Sequence, residues 1–135
     1  MSYWRLFYHA VWSTQNRQPL IDPVWEKDLY GYLWGKATAL DCVPHTINGM
    51  PDHIHVVISI PPRLSISSII GQLKGASSHH INEHYLRGCF AWQDEYSIFS
   101  ISEAALERVV RYVRMQKQHH AGHTLVDKLE IIAGG

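Results

Sequence analysis

The clearest alternation of apolar and polar positions along the chain is His53-Ile54-His55-Val56-Val57-Ile58-Ser59-Ile60, stopped by Pro61-Pro62. Side chains on a strand change face at every residue. Ile54, Val56, Ile58 and Ile60 therefore share a fully apolar face that must meet the core, and His53, His55, Val57 and Ser59 share the other. Residues 3–12, rich in Tyr, Trp, Phe, Val and Leu, predict a first strand, followed by a polar STQNRQP loop. Asp22-Pro23 starts a helix running to about Leu40, with Pro23 in the first turn. Asp41 to Asn48 is a short strand, and Gly49-Met50-Pro51-Asp52 is turn chemistry. A helix over 65–86 is weakened by Gly71 and Gly75. Tyr96 to Ser102 reads as a fourth strand, and Ser102 caps a last helix reaching about His120. That helix carries Leu106, Val109, Val110 and Val113 as a narrow apolar stripe. From Thr124 the chain is a short tail, with fraying expected at Gly134-Gly135.

The order β-α-β-β-α-β-α predicts an α+β, ferredoxin-like or RRM-like sandwich. In it an antiparallel sheet carries helices on one face, leaves the other face open, and leaves one C-terminal helix over. Residues 1–123 form one domain and 124–135 a tail. The 135 residues, 46% hydrophobic and 18% charged, fit an ordered domain with a core of its own. Twelve Lys+Arg against twelve Asp+Glu means that bulk charge does not mark a nucleic-acid binder, so local features must. Apolar runs are too short for a transmembrane helix, and MSYWRLFYHAVW lacks a signal-peptide cleavage site. Cys42 and Cys89 form no CxxC pair and no disulfide framework; both are expected as small core residues in a reducing, cytoplasmic setting. Trp4, Trp12, Trp25 and Trp34 are expected in the core, while Trp92 lies in a loop from which it can stack on a base.

On the open face, His53 and His55 stand with Cα atoms about 7 Å apart, close enough for one metal ion to hold both rings. A lone HxH recurs by accident, so a third ligand is needed to distinguish it from two solvated histidines. The last helix places Tyr112 and Gln116 together on one edge of its apolar stripe, with Arg108 a turn before and His119 beside them. Taken alone, that is an ordinary amphipathic boundary. Arg108, Arg111, Arg114 and Lys117 suit either the helix C-terminus or a phosphate backbone. The histidines at 79, 80, 84, 119, 120 and 123 have no CxxC or HExxH to partner them; His80 and His84, at i,i+4, have chelating spacing but in an ill-defined helix.

These pieces together resemble a known family. MPDHIHVVISIPP resembles the His-hydrophobic-His (HUH) motif of the IS200/IS605-type single-tyrosine transposases, which include the repeat-associated tyrosine transposases. HAVWSTQNR is similar to that family's first strand and loop, QLKGASS to its Lys-Gly segment, FAWQDEYSIFSIS to its Trp-Gln…Tyr stretch, and YVRMQKQHH to its catalytic helix. Five segments occur in the family's order over nearly the whole chain; Met115 stands where members often carry Asn. The resemblance implies that His53, His55 and Gln116 hold a divalent metal, Mg²⁺ or Mn²⁺, and that Tyr112 is the nucleophile. The imidazoles by themselves suit Zn, Mn or Ni at least as well as Mg. It further implies a DNA transposase that cuts and rejoins single-stranded DNA at hairpin-marked ends through a covalent 5′-phosphotyrosine, working as a homodimer whose subunits can share active sites. Arg17, Lys74, Arg108, Arg111, Arg114 and Lys117 are the expected DNA contacts. A domesticated repeat-associated hairpin nuclease is one alternative. A non-catalytic single-stranded nucleic-acid-binding module is another, although an RRM would place aromatics where His53 and His55 stand.

Overall fold

In a computed structural model of the chain, which describes residues 2–122 and 124–132, the expected alternation of elements is present. Strands β1 (Phe7–Ser13), β2 (Val43–Met50), β3 (His53–Ser59) and β4 (Ser97–Ile101) form one antiparallel sheet in the order β2-β3-β1-β4. Helices α1 (Glu26–Ala39) and α2 (Ile66–Ile81) pack on one face. Ile54, Val56 and Ile58 of β3 meet Ala10 and Trp12 of β1 there, over Leu29, Leu33 and Ala37 of α1 and Ile70 and Leu73 of α2. The all-apolar face of β3 is thus the core face, as its alternation requires.

Helix α1 begins one turn later than Asp22-Pro23 predicts. The Asp22 carboxylate accepts the Val24 N–H at 2.8 Å, and this local turn satisfies the backbone before the regular helix starts. Helix α2 tolerates Gly71 and Gly75 and ends at Ile81, where a π-helical turn (Asn82–Leu86) replaces its last predicted residues. Ser65 caps α2, its hydroxyl accepting the Ser68 N–H at 3.3 Å.

The second sheet face is not open. Helix α3 (Glu103–Arg114), capped by Ser102, lays Val109, Tyr112 and Val113 on Val57, making a second apolar cluster with Leu106, Val110 and Leu129 around it. The stripe predicted on the last helix is its buried side. A sheet face carrying Val57 and an amphipathic helix without a partner each expose apolar surface worth about 1.5–3 kcal/mol per buried aliphatic side chain, and they cover one another. The helix does not run unbroken to His120: Met115 leaves helical geometry, and a short α4 (Gln116–Gly122) follows.

Expectations about four single residues need correction. Trp4 and Trp34 are 38% and 44% exposed, on the chain's start and the outer side of α1. Cys89 is exposed, while Cys42 is buried as expected. Trp92 is buried, donating its Nε1–H to Ser77 Oγ at 2.9 Å and meeting Trp12 edge-on, so its ring is not free to stack on a base. Among the described residues no helix is long and apolar enough to cross a membrane. His123 and Gly134-Gly135 lie outside the described residues.

Candidate metal and nucleophile site

The β2–β3 hairpin delivers the two histidines. Gly49 pairs with Ile54, and a Cβ on Gly49 would overlap the His53 carbonyl oxygen and stand 2.8 Å from Ile54 Cα, so only glycine permits this approach. His53 and His55 then project from the second sheet face with ring centroids 5.2 Å apart. Both are fully buried beneath α3, α4 and the tail, not solvated. Val11 of β1 lies opposite His55 and Ser13 opposite His53.

Each imidazole is held from behind. His53 Nδ1 donates to Asp52 Oδ1 at 2.7 Å, while Asp52 Oδ2 accepts from the Arg17 guanidinium at 2.9 Å. His55 Nδ1 lies 2.8 Å from His9 Nε2, and those rings stack with centroids 5.1 Å apart. Arg17 therefore supports Asp52, where the sequence offered it as a DNA contact. Such outer partners fix the ring orientation of metal-binding histidines.

The last helical segments bring the other two expected residues to the same place. Tyr112 is 6% exposed and Gln116 fully buried, where the sequence placed them on a partly open edge. His55 and Tyr112 rings lie 6.5 Å apart, and His119 stacks on Tyr112 at 4.4 Å. Within α4, after the break at Met115, His120 Nε2 meets Gln116 Oε1 one turn away at 2.9 Å. Lys117 pins this junction to the hairpin, donating to Asn48 Oδ1 and the Gly49 carbonyl and pairing with Glu26 at 3.0 Å. Asn48 in turn donates to the Arg114 carbonyl at 2.8 Å.

At the centre stands Glu130, from the tail. One carboxylate oxygen lies 3.2 Å from His55 Nε2 and 3.6 Å from both His53 Nε2 and His120 Nε2. The other accepts the Tyr112 hydroxyl and the Gln116 amide N–H, the latter at 2.8 Å. The tail is seated by Leu129 in the second cluster and by Val126, whose N–H donates to Tyr112 Oη at 3.1 Å.

The electrostatics follow from this crowding. Burial opposes ionisation of Glu130, but the close imidazoles of His53 and His55 and the Tyr112 hydroxyl outweigh it and hold the carboxyl far below its ordinary value. Burial alone would lower His53, yet the carboxylates of Glu130 and Asp52 raise it. For His55 burial wins and its pKa falls; His9, buried beside it, drops to about 3. Burial and then the Glu130 carboxylate push the Tyr112 phenol up to about 12. Among the described residues, His53, His120 and Glu130 are a group of side chains whose ligand atoms lie within 4.8 Å of one another and that could hold a metal ion.

Of the expected DNA contacts, Lys74 is half-buried and donates to the Gln93 and Glu95 carbonyls, bracing the loop after Trp92. Arg111 pairs with Glu107 at 3.2 Å, whereas Arg108 and Arg114 stand exposed on α3. His80 lies 3.2 Å from Asp28 and its ring 4.6 Å from that of His84, away from this site. Sequence reasoning did not single out Glu130, His9 or Asp52 and left His120 unused. The one signal for Glu130 was an acid set in the apolar KLEII of the tail.

Comparison with known proteins finds transposases along most of the chain. Over 119 residues, 84% of this chain and 85% of the relative, the sequence is 27% identical to the ISDra2 transposase TnpA of Deinococcus radiodurans. A 34-residue stretch, 25% of this chain and 22% of the relative, is 50% identical to the transposase for insertion sequence element IS200 of Salmonella typhimurium. The fold is similar to that of a candidate transposase from D. radiodurans R1 (TM-score 0.70, 23% identity, 86% of this chain and 95% of that one). It is also similar to that of a REP-associated tyrosine transposase bound to a REP hairpin (TM-score 0.66, 15% identity, 96% and 78%). The profile of the family described as "Transposase IS200 like" matches residues 2–116, and the chain belongs to that family of DNA transposases.

Proposed function

We propose that the protein cuts and rejoins single-stranded DNA at hairpin-marked ends, with Tyr112 as the nucleophile. The observation that carries this reading is the convergence of Tyr112, Gln116, His53 and His55, from two distant stretches of sequence, on a single carboxylate. Hairpin DNA as the partner is supported by the fold shared with a transposase that binds one.

The donor set fits a divalent cation. His53 Nε2 is buried without a hydrogen-bond partner while its Nδ1 is committed to Asp52, so a free lone pair faces the centre. His53, His55 and Gln116 would hold Mg²⁺ or Mn²⁺. Such an ion, when bound, polarises the scissile phosphate and offsets the charge that builds up in the transition state.

Tyr112 Oη attacks the phosphorus, forming an O–P bond to the 5′ side as the bond to the 3′-oxygen breaks. The phenol loses a proton and the released 3′-oxygen gains one. The product is a 5′-phosphotyrosine and a free 3′-hydroxyl. A second strand's 3′-hydroxyl reverses the step, and no nucleotide cofactor enters the balance. The hydrogen bond from Tyr112 to Glu130 places an acceptor on the phenolic proton. Burial of the phenol also means that Tyr112 must become accessible for a strand to reach it.

The test mixes protein, Mn²⁺ or Mg²⁺, and labelled single strands from the DNA flanking its gene, then separates products on denaturing gels. A covalent protein–DNA adduct is expected, absent from Tyr112→Phe and His53→Ala. Folded protein that binds a strand and never becomes attached to it would overturn the reading in favour of a binding module.

A further inference from the structure

Resting on the metal reading above, we propose that Glu130 is a further protein ligand of that cation, delivered by the C-terminal segment. Two atoms that each lie about 2.1 Å from one ion stand about 3.0–3.4 Å apart at octahedral or tetrahedral angles. One Glu130 oxygen lies 3.2 Å from His55 Nε2 and 3.6 Å from the Nε2 atoms of His53 and His120. The first is a spacing of neighbouring ligands around a common centre, and the other two exceed that range by about 0.2 Å. The His53 contact is too long for a hydrogen bond, and His53 Nε2 has no other partner.

The carboxylate does not arrive there as a stray surface side chain. The segment before it is fastened to α4 by the Thr124 N–H on the His119 carbonyl at 2.9 Å and by Thr124 Oγ1 on His119 Nδ1 at 2.8 Å. Val126 is tied to Tyr112, and Leu129 fills the apolar cluster under α3. Glu130 is thus presented by a built connection. Its second oxygen takes Tyr112 and Gln116, so one side chain links the nucleophile to the ion's centre.

The chemistry of the site changes accordingly. Imidazoles alone favour zinc or nickel, whereas adding a hard carboxylate oxygen moves the balance toward manganese and magnesium. The tail, which the family profile stops short of at residue 116, becomes part of the active centre.

The test is a Mn²⁺ titration of the metal-free full chain, following the free ion by electron paramagnetic resonance. Wild type, Glu130→Ala, the isosteric Glu130→Gln, and His53→Ala are compared, with thermal melts confirming that each folds and reporting the shift that Mn²⁺ causes. At least tenfold weaker binding and a smaller melting shift are expected for Glu130→Ala, with Glu130→Gln between it and wild type. Unchanged or tighter binding by the folded Glu130 variants, while His53→Ala loses it, would overturn the proposal and make the tail a plug over an intact metal site. Wild-type protein that takes up no Mn²⁺ would overturn the metal reading itself and this proposal with it.

Discussion

Asp52 holds the Nδ1–H of His53 on one oxygen and the Arg17 guanidinium on the other, so the first histidine is oriented by a chain of two charged groups. Replacing Asp52 with Asn keeps the shape and removes the charge that makes His53 a better donor. Mn²⁺ affinity is expected to fall about 10–100-fold, the usual effect of losing an outer partner; calorimetric titration of the two proteins measures it. On the other side His9 is a buried neutral base whose pKa sits near 3 against an ordinary 6.5. Between those values the unfolded chain carries a proton at residue 9 that the folded chain does not. Stability rises with pH wherever the unfolded state binds more protons, so this contribution is lost as pH falls from 6.5 toward 3. Denaturant melts in chelator are expected to show a shallower acid loss for His9→Gln than for wild type. At this scale the sequence reveals His53 and His55 well, because a period of two leaves their face no alternative. His9 and Glu130 stayed hidden. A histidine inside a strand gives no sign of its neighbour across the sheet, and the tail has no periodicity from which to infer where it packs.

The hairpin and the broken helix are the elements that carry the site. Gly49 is required by the close approach of β2 to β3, and Gly49→Ala should destabilise the fold by more than about 1 kcal/mol, read as a drop in the urea midpoint. Its effect on metal binding should be larger than its effect on overall shape, since the atoms displaced belong to His53 and Ile54. Ser102 caps α3 through the Ala105 N–H at 3.2 Å, and Ser102→Ala should cost about 1 kcal/mol, visible in the same melts. The existence and order of every strand and of the three main helices follow from alternation, stripes and caps. The cover over the second face was also within reach of the sequence. Val57 on one side and the Leu106, Val109, Val110, Val113 stripe on the other are two apolar surfaces without partners. What no pattern carries is the break at Met115, a residue that favours helix in its own right. The break is held by long-range bonds from Asn48 and Lys117 to the junction, and such contacts leave no local signature.

Over the whole molecule formal charge cancels, so any grip on DNA must come from where the cations lie. Of the six expected contacts, Arg17, Lys74 and Lys117 are engaged within the protein, Arg108 and Arg114 stand exposed on α3, and Arg111 makes a surface pair with Glu107. If α3 meets the backbone of a single strand, each neutral substitution there should reduce the salt slope of binding by about 0.7, whereas Arg17→Ala should change metal affinity more than that slope. The same geometry bears on whether subunits share their sites. Tyr112 lies against His55 and Glu130 of its own chain, and α3 buries Val109 and Val113 on its own sheet. On the reading proposed above, a helix held by that apolar contact would present its tyrosine in cis. Tyr112→Phe and His53→Ala proteins, co-expressed or mixed after denaturation and refolding, are therefore expected to give no adduct, since neither chain holds a complete site. Adduct formation by the mixture, on the His53→Ala chain that retains Tyr112, would show instead that α3 leaves its own sheet and completes the site of a second subunit.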